Sequence, residues 1–263
     1  MVPAGPFDIY KDMRPRRLAA PLAAALAAAM ITSSGCALRG QRFEHFRTPL
    51  PIAEDQILII GFLGGRKKFD TPNRGVTRLA QQLRDLNLPG VNVEVVENRR
   101  RYLALELIRK ALDTNGNGWL EPEERTTPRV ILYGQSFGGA AVVKLARDLH
   151  LLGVPVLLSV QVDSVGRGDG VIPGNVRMAV NLFQSDGLFI RGEAPIRAAD
   201  PQRTRIENIR FHYDGKDIPV SDILWIKYLF LGAHTKMDFD PAVWDRVEQI
   251  IVEQINQFRS QQD

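Results

Sequence analysis

Short apolar runs alternate along the chain with segments whose apolar residues recur at helical spacing. Residues 56–60 form a continuous β-branched and leucine run that ends at Gly61, which is typical of a strand buried on both faces. Residues 76–86 then carry an apolar stripe with helical spacing, and Pro89 and Gly90 stop it. The same alternation predicts strands at 91–96, 129–133, 154–162, 176–183 and 206–213, and helices at 102–112 and 140–152. Strands that alternate with helices pair in parallel through right-handed crossovers, so the pattern predicts a doubly wound, mostly parallel α/β sheet.

The C-terminal part of the chain shows two further apolar segments. Asp240 is suited to cap a helix that begins at Pro241, and the apolar face of this helix continues to Phe258. The run 223–231 is strongly apolar, which favours a buried helix over a lid or a wall for an acyl chain. We find no repeat or linker after residue 35, so we expect one domain over 36–263, with its chemistry at the carboxyl ends of the strands.

A serine stands where one of the predicted strands turns directly into a helix. Residues 134–138 read Gly-Gln-Ser-Phe-Gly, after the strand 129–133 and before the helix 140–152. A turn this tight holds its central residue in a strained conformation, and small flanking residues let the backbones approach. Ser136 is therefore the candidate nucleophile, and the amide of Phe137, the next along the chain, is a candidate donor to an oxyanion.

A serine nucleophile needs a base, and the base needs a carboxylate that orients it. Of the four histidines, His234 lies in a predicted loop after the last strand and before the C-terminal helix, where a base can reach the crevice. Asp163 and Asp186 each end a predicted strand and would project into the same crevice, so spacing alone leaves both open as the acid. Either choice gives the chain order serine, aspartate, histidine.

Four short segments of the chain carry a family resemblance. They are GFLGG at 61–65, GQSFGG at 134–139, VDSVG at 162–166 and AHTKMDFDP at 233–241. Together they resemble the α/β-hydrolase superfamily, and most closely its pancreatic-type lipase branch, although Ser164 stands where those lipases usually have proline. The resemblance implies the α/β-hydrolase fold and cleavage of a small-molecule or lipid ester, or a thioester, through an acyl-enzyme. It also implies Asp163 as the acid, with Asp186 as a neighbour, and a second oxyanion donor at the amide of Phe62, or alternatively of Leu63.

A second pattern has the spacing of a calcium site. Residues 113–124 match the twelve-residue EF-hand loop, with oxygen side chains at the ligand positions and glycine at the sixth. The ligands would be Asp113, Asn115, Asn117, the Trp119 carbonyl, a water held by Glu121, and bidentate Glu124. Pro128 limits the following helix to about one turn, so we expect weak structural binding, with a Kd on the order of 10⁻⁴ to 10⁻³ M. The loop joins a helix to a strand, so it should lie at the end of the sheet opposite Ser136, and catalysis itself would need no cofactor.

Residues 1–35 have the layout of an export signal. An apolar run at 18–31 follows three arginines and ends in small residues. As a helix it would rise about 21 Å, short of the roughly 30 Å hydrocarbon core of a bilayer. The tripeptide Ser-Gly-Cys at 34–36 resembles the lipobox of bacterial lipoproteins, and lipidation at Cys36 and simple cleavage nearby both stay open. We therefore expect a bacterial exported protein that is periplasmic, anchored at the membrane as a lipoprotein, or secreted.

Charge and cysteine content narrow the range of partners. The chain has 34 Lys and Arg against 30 Asp and Glu, a formal net charge of +4; loss of 1–35, with four basic and two acidic residues, would leave +2. This slight excess, without a basic stripe or a zinc-finger spacing, argues against a nucleic-acid partner. The single cysteine, Cys36, excludes a disulfide within the chain. The alternative to an enzyme is an exported calcium-binding protein without turnover, and a third interpretation is acyl transfer to an alcohol other than water.

Overall fold

The computed structural model describes residues 40–186, 192, 195–213, 218 and 225–261, and for 225–231 the description covers the backbone alone. The predicted export segment and Cys36 lie outside these residues and stay predictions. The described residues from 41 onward belong to one unit. Within them, no helix is long and apolar enough to cross a membrane.

Strands and helices alternate along the described residues. The strands are β1 (Ile57–Leu63), β2 (Val91–Glu97), β3 (Val130–Gln135), β4 (Val156–Val162), β5 (Val171–Ile172), β6 (Val176–Phe183), β7 (Arg197–Ala198) and β8 (Arg205–Arg210). The helices are α1 (Gly75–Asp85), α2 (Arg101–Leu112), α3 (Phe137–Leu151), α4 (Trp225–Phe239) and α5 (Pro241–Arg259). The prediction of alternating strands and helices is confirmed, with boundaries that shift by a few residues.

Six of these strands form one parallel sheet, in the order β2-β1-β3-β4-β6-β8. The short strands β5 and β7 pair with each other outside it. The order runs outward from β1 in both directions, so the carboxyl ends of β1 and β3 flank the crevice where such sheets usually bind ligands. The predicted doubly wound, mostly parallel α/β fold is confirmed, and it is consistent with the α/β-hydrolase fold.

Helices cover both faces of the sheet. Ile59, Ile131 and Val160 pack in one apolar cluster with α1 and α5. Leu58 and Leu132, on the opposite face, pack in a second cluster with α2 and α3. Because successive side chains of a strand point to opposite faces, a strand buried on both sides needs an apolar residue at almost every position. The continuous apolar runs of the sequence therefore reflect this double burial.

Two elements extend further than the sequence predicts. β1 continues through Gly61 to Leu63, because these residues stay paired with the neighbouring strands, and Gly61 leaves the space that the ring of Tyr133 fills. α3 begins at Phe137 rather than at residue 140. Its first glycines are helical residues at a close approach between backbones, although glycines in a sequence suggest the end of a helix.

The prediction that His234 lies in a loop is wrong. His234 belongs to α4, which is broken at Gly232 by a non-helical backbone conformation with φ 20° and ψ −111°. The backbone of 225–231 is helical, as the apolar run suggests. Residues 223 and 224 and the side chains through 231 lie outside the described residues, so the choice between a buried helix and a lid stays a prediction.

Candidate active site

Ser136 lies at the turn between β3 and α3, at the carboxyl end of the sheet. Its backbone has φ 57° and ψ −126°, a conformation that strains any residue with a side chain. Main-chain hydrogen bonds hold this conformation. Its N–H donates to the carbonyl of Val162 at 2.9 Å, and its own carbonyl accepts from the amides of Gly139 at 3.0 Å and Val165 at 3.3 Å. The strained turn predicted from residues 134–138 is therefore present.

The two glycines that flank this turn are required by close approach of the backbone. A Cβ on Gly134 would lie 2.5 Å from the carbonyl carbon of Gly138. A Cβ on Gly138 would overlap with the carbonyl group of Phe62 on β1. No rotation of a side chain can relieve contacts with main-chain atoms, so any larger residue here would move the turn away from the sheet.

His234 joins Ser136 to Asp163 by hydrogen bonds. Its Nε2 is 3.0 Å from Ser136 Oγ, and its Nδ1 is 2.6 Å from Asp163 Oδ2. Asp163 is fully buried, while Ser136 is 7% exposed and His234 is 8% exposed. A carboxylate accepts hydrogen bonds only, so Nδ1–H donates to Asp163 and Nε2 is left to accept the serine proton. The three side chains form one continuous chain of hydrogen bonds.

Asp163 is fixed by contacts that are independent of the histidine. It follows β4 with φ 44°, and its N–H donates to the carbonyl of Leu182 at 2.7 Å. Its carboxylate accepts from Gln184 Nε2 at 3.1 Å and from Gln184 N–H at 3.4 Å. Sequence reasoning missed Gln184, and the available signal was its place directly after the predicted strand 176–183. Gln184 therefore orients the same carboxylate that orients the histidine.

Asp186, the other candidate acid, faces a different part of the molecule. Its carboxylate accepts from the amide of Tyr213 at 2.7 Å and lies 3.5 Å from Arg210 Nη2. His212 Nδ1 is 4.0 Å away. These contacts connect the chain after β6 to the chain after β8. The described structure therefore brings Asp163, and not Asp186, into contact with His234.

The helical turn that carries His234 is attached to the rest of the fold through Asp238. The carboxylate of Asp238 accepts from the amide of Gly75 at 3.1 Å and from Arg74 Nη1 at 3.4 Å, at the start of α1. Trp244 Nε1 donates to the carbonyl of Asp238 at 3.0 Å. His234 and Asp238 are four residues apart on one helix, so fixing Asp238 also limits the position of the imidazole.

Two buried tyrosines near this site donate hydrogen bonds to the first turn of α1 and to the N-cap of α5. Tyr133 donates its hydroxyl hydrogen to the carbonyl of Val76 at 3.0 Å, and Tyr213 donates to Asp240 Oδ2 at 2.8 Å. Burial raises the pKa of both hydroxyl groups, and the hydrogen bond to Asp240 raises the pKa of Tyr213 further. Both groups therefore stay protonated at neutral pH and remain donors. Asp240 also accepts from the amide of Ala242 at 3.0 Å, which confirms it as the N-cap of α5.

The amide of Phe62 is used by the sheet, contrary to the expectation that it faces an oxyanion. The N–H of Leu58 donates to the carbonyl of Arg129 at 2.9 Å, on the β3 side of β1. N–H groups alternate between the two sides of a strand, so the amide of Phe62 also faces β3. The register of β1 with β3 gives it the carbonyl of Tyr133 as acceptor. Phe62 is therefore ruled out as the second donor in this conformation.

Leu63, the alternative donor, is excluded by the same argument. The N–H of Ile57 donates to the carbonyl of Gly90 at 2.8 Å, on the β2 side. Leu63 is an even number of residues further on, so its amide faces β2 and donates to the carbonyl of Val96 in the paired register. Both errors have one cause, since β1 is longer than the sequence predicts and its ladder includes these amides.

Gly64 has the first amide on this edge that lies beyond the sheet. The pairing of β1 with β3 ends at Phe62, two residues before it, and within the described residues its N–H has no main-chain acceptor. A Cβ on Gly64 would lie 3.1 Å from Ser136 Cβ, so its backbone lies directly beside the serine. Asn98 Nδ2 donates to the carbonyls of Leu63 at 2.7 Å and Gly65 at 2.6 Å, which holds this loop. Sequence reasoning missed Gly64 and Asn98.

The arrangement can carry out nucleophilic acyl chemistry. The hydroxyl of Ser136 has an imidazole acceptor and the imidazole has a buried carboxylate partner, so a proton can leave the hydroxyl as it attacks. The amide of Phe137 is the first N–H of α3 and has no hydrogen-bond acceptor among the described residues, as expected at a helix start. The amides of Phe137 and Gly64 flank Ser136 and could both donate to an oxyanion there.

The predicted calcium loop closes on itself through hydrogen bonds to its amides. The carboxylate of Asp113 accepts from the N–H of Asn117 at 3.1 Å and of Gly118 at 2.8 Å. Glu124 accepts from the N–H of Thr114 at 2.7 Å and of Glu121 at 3.0 Å. The main-chain hydrogen bond from Glu121 is the largest cause that lowers the pKa of the Glu124 carboxyl. Both predicted charged ligands are thus turned into the loop.

The surroundings of this loop agree in part with the prediction. The chain leaves it through a single 3₁₀ turn, Glu123–Arg125, which confirms the shortened helix. The loop leads into the amino end of β3, opposite the end that carries Ser136. Within the described part of the chain, no three His, Cys, Asp or Glu side chains form a metal-binding group. The remaining ligands would have to be amide and carbonyl oxygens, which calcium accepts.

Comparisons with known proteins give structural neighbours only. No protein-family model matches the sequence, and the search of curated proteins finds no relative. The chain is similar to a candidate hydrolase of the alpha/beta superfamily from Xanthomonas campestris pv. campestris, at 18% identity and TM-score 0.38, covering 75% of this chain and 99% of that one. It is also similar to a cutinase-like protein from Cryptococcus sp., at 12% identity and TM-score 0.40, covering 76% and 95%. A third is the type II thioesterase BorB of the borrelidin biosynthetic cluster, at 13% identity and TM-score 0.39, covering 78% and 95%. Each TM-score is below 0.5, so these similarities support no conclusion about the function of this chain.

Proposed function

We propose that this protein is a serine hydrolase that cleaves a carboxylic ester or thioester through an acyl-enzyme. One observation carries the proposal: a serine in a strained strand-to-helix turn is hydrogen-bonded to a histidine that is hydrogen-bonded to a buried aspartate. A buried polar chain of this kind and a strained backbone each cost stability, so their coincidence at one residue favours a function over a structural role. In this proposal Ser136, His234 and Asp163 are the catalytic residues.

Acylation begins with attack of Ser136 Oγ on the carbonyl carbon of the substrate. His234 Nε2 takes the hydroxyl proton as the new C–O bond forms, and Asp163 stabilises the resulting imidazolium through Nδ1–H. The amides of Phe137 and Gly64 donate to the oxyanion of the tetrahedral intermediate. The bond to the leaving alcohol or thiol then breaks, and His234 returns its proton to that group.

Deacylation repeats the sequence with water as the nucleophile. His234 takes a proton from water as its oxygen attacks the acyl carbon, and the bond to Ser136 Oγ breaks in the second tetrahedral intermediate. The serine oxygen recovers its proton from the imidazolium, and the free acid leaves. An alcohol in place of water would yield a transferred ester by the same residues.

A fluorophosphonate probe should label the protein on Ser136. The probe reacts with a serine only where a base removes the proton and donors stabilise the oxyanion-like adduct, so Ser136→Ala should abolish labelling. Ser260→Ala, at an exposed serine near the C-terminus, is the matched control and should keep the full signal. The measurement is in-gel fluorescence, followed by mass spectrometry of the modified peptide.

Two results would contradict the proposal. One is a correctly folded protein that the probe does not label; this outcome would favour the non-catalytic alternative. The other is labelling that persists in Ser136→Ala. Circular dichroism of each variant separates loss of chemistry from loss of folding.

We further propose that residues 113–124 bind calcium weakly and stabilise the fold. Supporting this, the carboxylates of Asp113 and Glu124 both turn into the loop, where the amide oxygens of Asn115 and Asn117 also lie. The loop lies at the amino ends of the strands, so the ion would act on stability rather than on the reaction at Ser136.

Calcium should raise the melting temperature of the protein. At a concentration about 100 times Kd, binding to the folded state adds about 2.7 kcal/mol, which corresponds to roughly 5–10 °C for a domain of this size. Asp113→Asn combined with Glu124→Gln removes both charged ligands and should abolish the shift. Differential scanning calorimetry in calcium, magnesium and chelator gives the comparison. Equal melting temperatures in calcium and chelator would exclude the site.

A further inference from the structure

A basic cleft lies next to the candidate nucleophile. Its volume is about 700 Å³, and it lies between α3, the chain after β4, and the start of α2. Phe137, the residue directly after Ser136, lines it, and so does Val165, whose amide donates to the carbonyl of Ser136 at 3.3 Å. The cleft therefore lies beside the serine, although Ser136 itself does not line it.

The charges around the cleft have one sign. Four cationic residues line it, Arg99, Arg101, Lys144 and Arg167, and no acidic residue does. Arg101 is paired with Asp148, outside the lining. Within the described residues the other three cations have no ionic partner, and their side chains are exposed. Unpaired cations around a concave surface raise the local concentration of anions.

The cleft also exposes two aromatic rings. Tyr102 is 54% exposed and Phe137 is 55% exposed, although most large apolar side chains of the described residues are buried. Ala140 and Ala141 also line the cleft. The lining thus suits a ligand with an apolar part and an anionic part. The apolar part would contact the aromatic rings, and the anionic part would contact the cationic side chains.

The distance between these features sets the length of such a ligand. Phe137 and Lys144 lie on one helix, seven residues apart, which corresponds to about 10 Å along the axis. A group that reacts at Ser136 and places its charge at Lys144 must therefore be extended. Arg167 comes from a different segment, the chain after β4, so cations from two parts of the chain are available to the charged group.

We propose that the basic cleft binds an anionic group carried by the ester or thioester substrate, a carboxylate or a phosphate joined to the reacting carbonyl by an apolar segment. The proposal rests on the proposed function, because it names the substrate class of that site. The charged group can belong either to the acyl part or to the leaving group, and the experiment separates these two sources.

Matched pairs of esters test the preference. For the acyl part, the pair is p-nitrophenyl octanoate and the mono-p-nitrophenyl ester of suberic acid, which has the same chain length and a terminal carboxylate. For the leaving group, the pair is 4-octanoyloxy-3-nitrobenzoic acid and its methyl ester. In at least one pair the charged ester should have about tenfold higher kcat/KM than the neutral one at low ionic strength. The advantage should shrink as salt is added, because salt screens exposed charges.

The variant Lys144→Gln with Arg167→Gln removes one lining charge from α3 and one from the chain after β4. It should lower kcat/KM for the preferred charged ester about tenfold, mainly through a higher KM, because exposed charge contacts of this kind add modestly and equally to binding of the substrate and of the transition state. Activity on the neutral ester should stay within about twofold. Arg177→Gln is the matched control, since Arg177 is exposed on β6 outside the cleft. It should leave kcat/KM unchanged for both the charged and the neutral ester.

Binding without turnover tests the cleft separately from the chemistry. Suberate should bind to Ser136→Ala, measured by calorimetry, and Lys144→Gln with Arg167→Gln should weaken that binding. Two results would overturn the inference. One is equal kcat/KM for the charged and neutral members of both pairs. The other is suberate binding of the same affinity with and without the two substitutions. If esters are cleaved without such a preference, the proposed hydrolase stands and only the cleft assignment fails. If suberate binds as expected but no ester is cleaved and no probe labels Ser136, the proposed function fails and the anion site stands.

Discussion

Replacing Asp163 with asparagine should lower kcat about 10⁴-fold. The buried carboxylate accepts from His234 Nδ1 at 2.6 Å and so keeps the proton on that nitrogen. An asparagine can present an N–H instead, which favours the other tautomer and leaves Nε2 unable to accept the serine proton. The loss should appear in kcat of ester hydrolysis with little change in KM. Gln184 can still contact the amide, so the variant should remain folded.

Asp186→Asn is the matched control for this prediction. Its carboxylate accepts from the amide of Tyr213 and does not reach His234 among the described contacts, so activity should fall no more than a few-fold. Any loss here should track a lower melting temperature, because the contact joins two strand ends. A large drop in kcat for Asp186→Asn, together with a small one for Asp163→Asn, would reverse the assignment of the acid.

Replacing Gly138 with alanine should lower the free energy of unfolding by about 2 kcal/mol. The new Cβ would overlap with the carbonyl of Phe62, and this is main chain in a central strand that cannot rotate away. Overpacking of this kind usually costs about 1–3 kcal/mol, and the gain of about 1 kcal/mol in helix propensity offsets only part of it. The measurement is the midpoint of unfolding in urea.

Gly174→Ala provides the comparison. A Cβ at this position would lie 3.5 Å from Asp200 Cβ, an ordinary contact distance, so the free energy of unfolding should change by less than about 0.5 kcal/mol. The pair separates a general effect of losing glycine from the specific overlap with the strand. Similar midpoints for both variants would show that the turn after β3 can move away from β1 at little cost.

The features of the fold and of the site that could be predicted from the sequence are those that depend on local sequence patterns. The turn at Ser136 could be recognised because strand, turn and helix follow one another directly, with glycines at fixed positions. The alternation of strands and helices is a local pattern too, since double burial of the sheet requires continuous apolar runs. The carboxyl ends of the strands then indicate where Asp163 and His234 should lie relative to the serine.

Features that depend on distant contacts could not be predicted in the same way. The second oxyanion donor was misplaced because the length of β1 depends on pairing with β2 and β3, and Gly61 in isolation suggests the end of a strand. His234 was expected in a loop because a helix broken at a glycine has no simple sequence pattern. Gln184 comes into contact with Asp163 only because the sheet places the ends of β4 and β6 side by side. For β1 and for Gln184, the deciding partner lies far away in sequence.

The attachment of His234 has a consequence for the order of events during synthesis. Serine and histidine are 98 positions apart, and the helix of the histidine is anchored to the start of α1 by Asp238, near the end of the chain. A nascent chain that has emerged only as far as β8 contains the alcohol and the carboxylate but lacks the imidazole. Such a chain has no means of activating Ser136, so the proposed hydrolytic activity would arise only after α4 and α5 leave the ribosome.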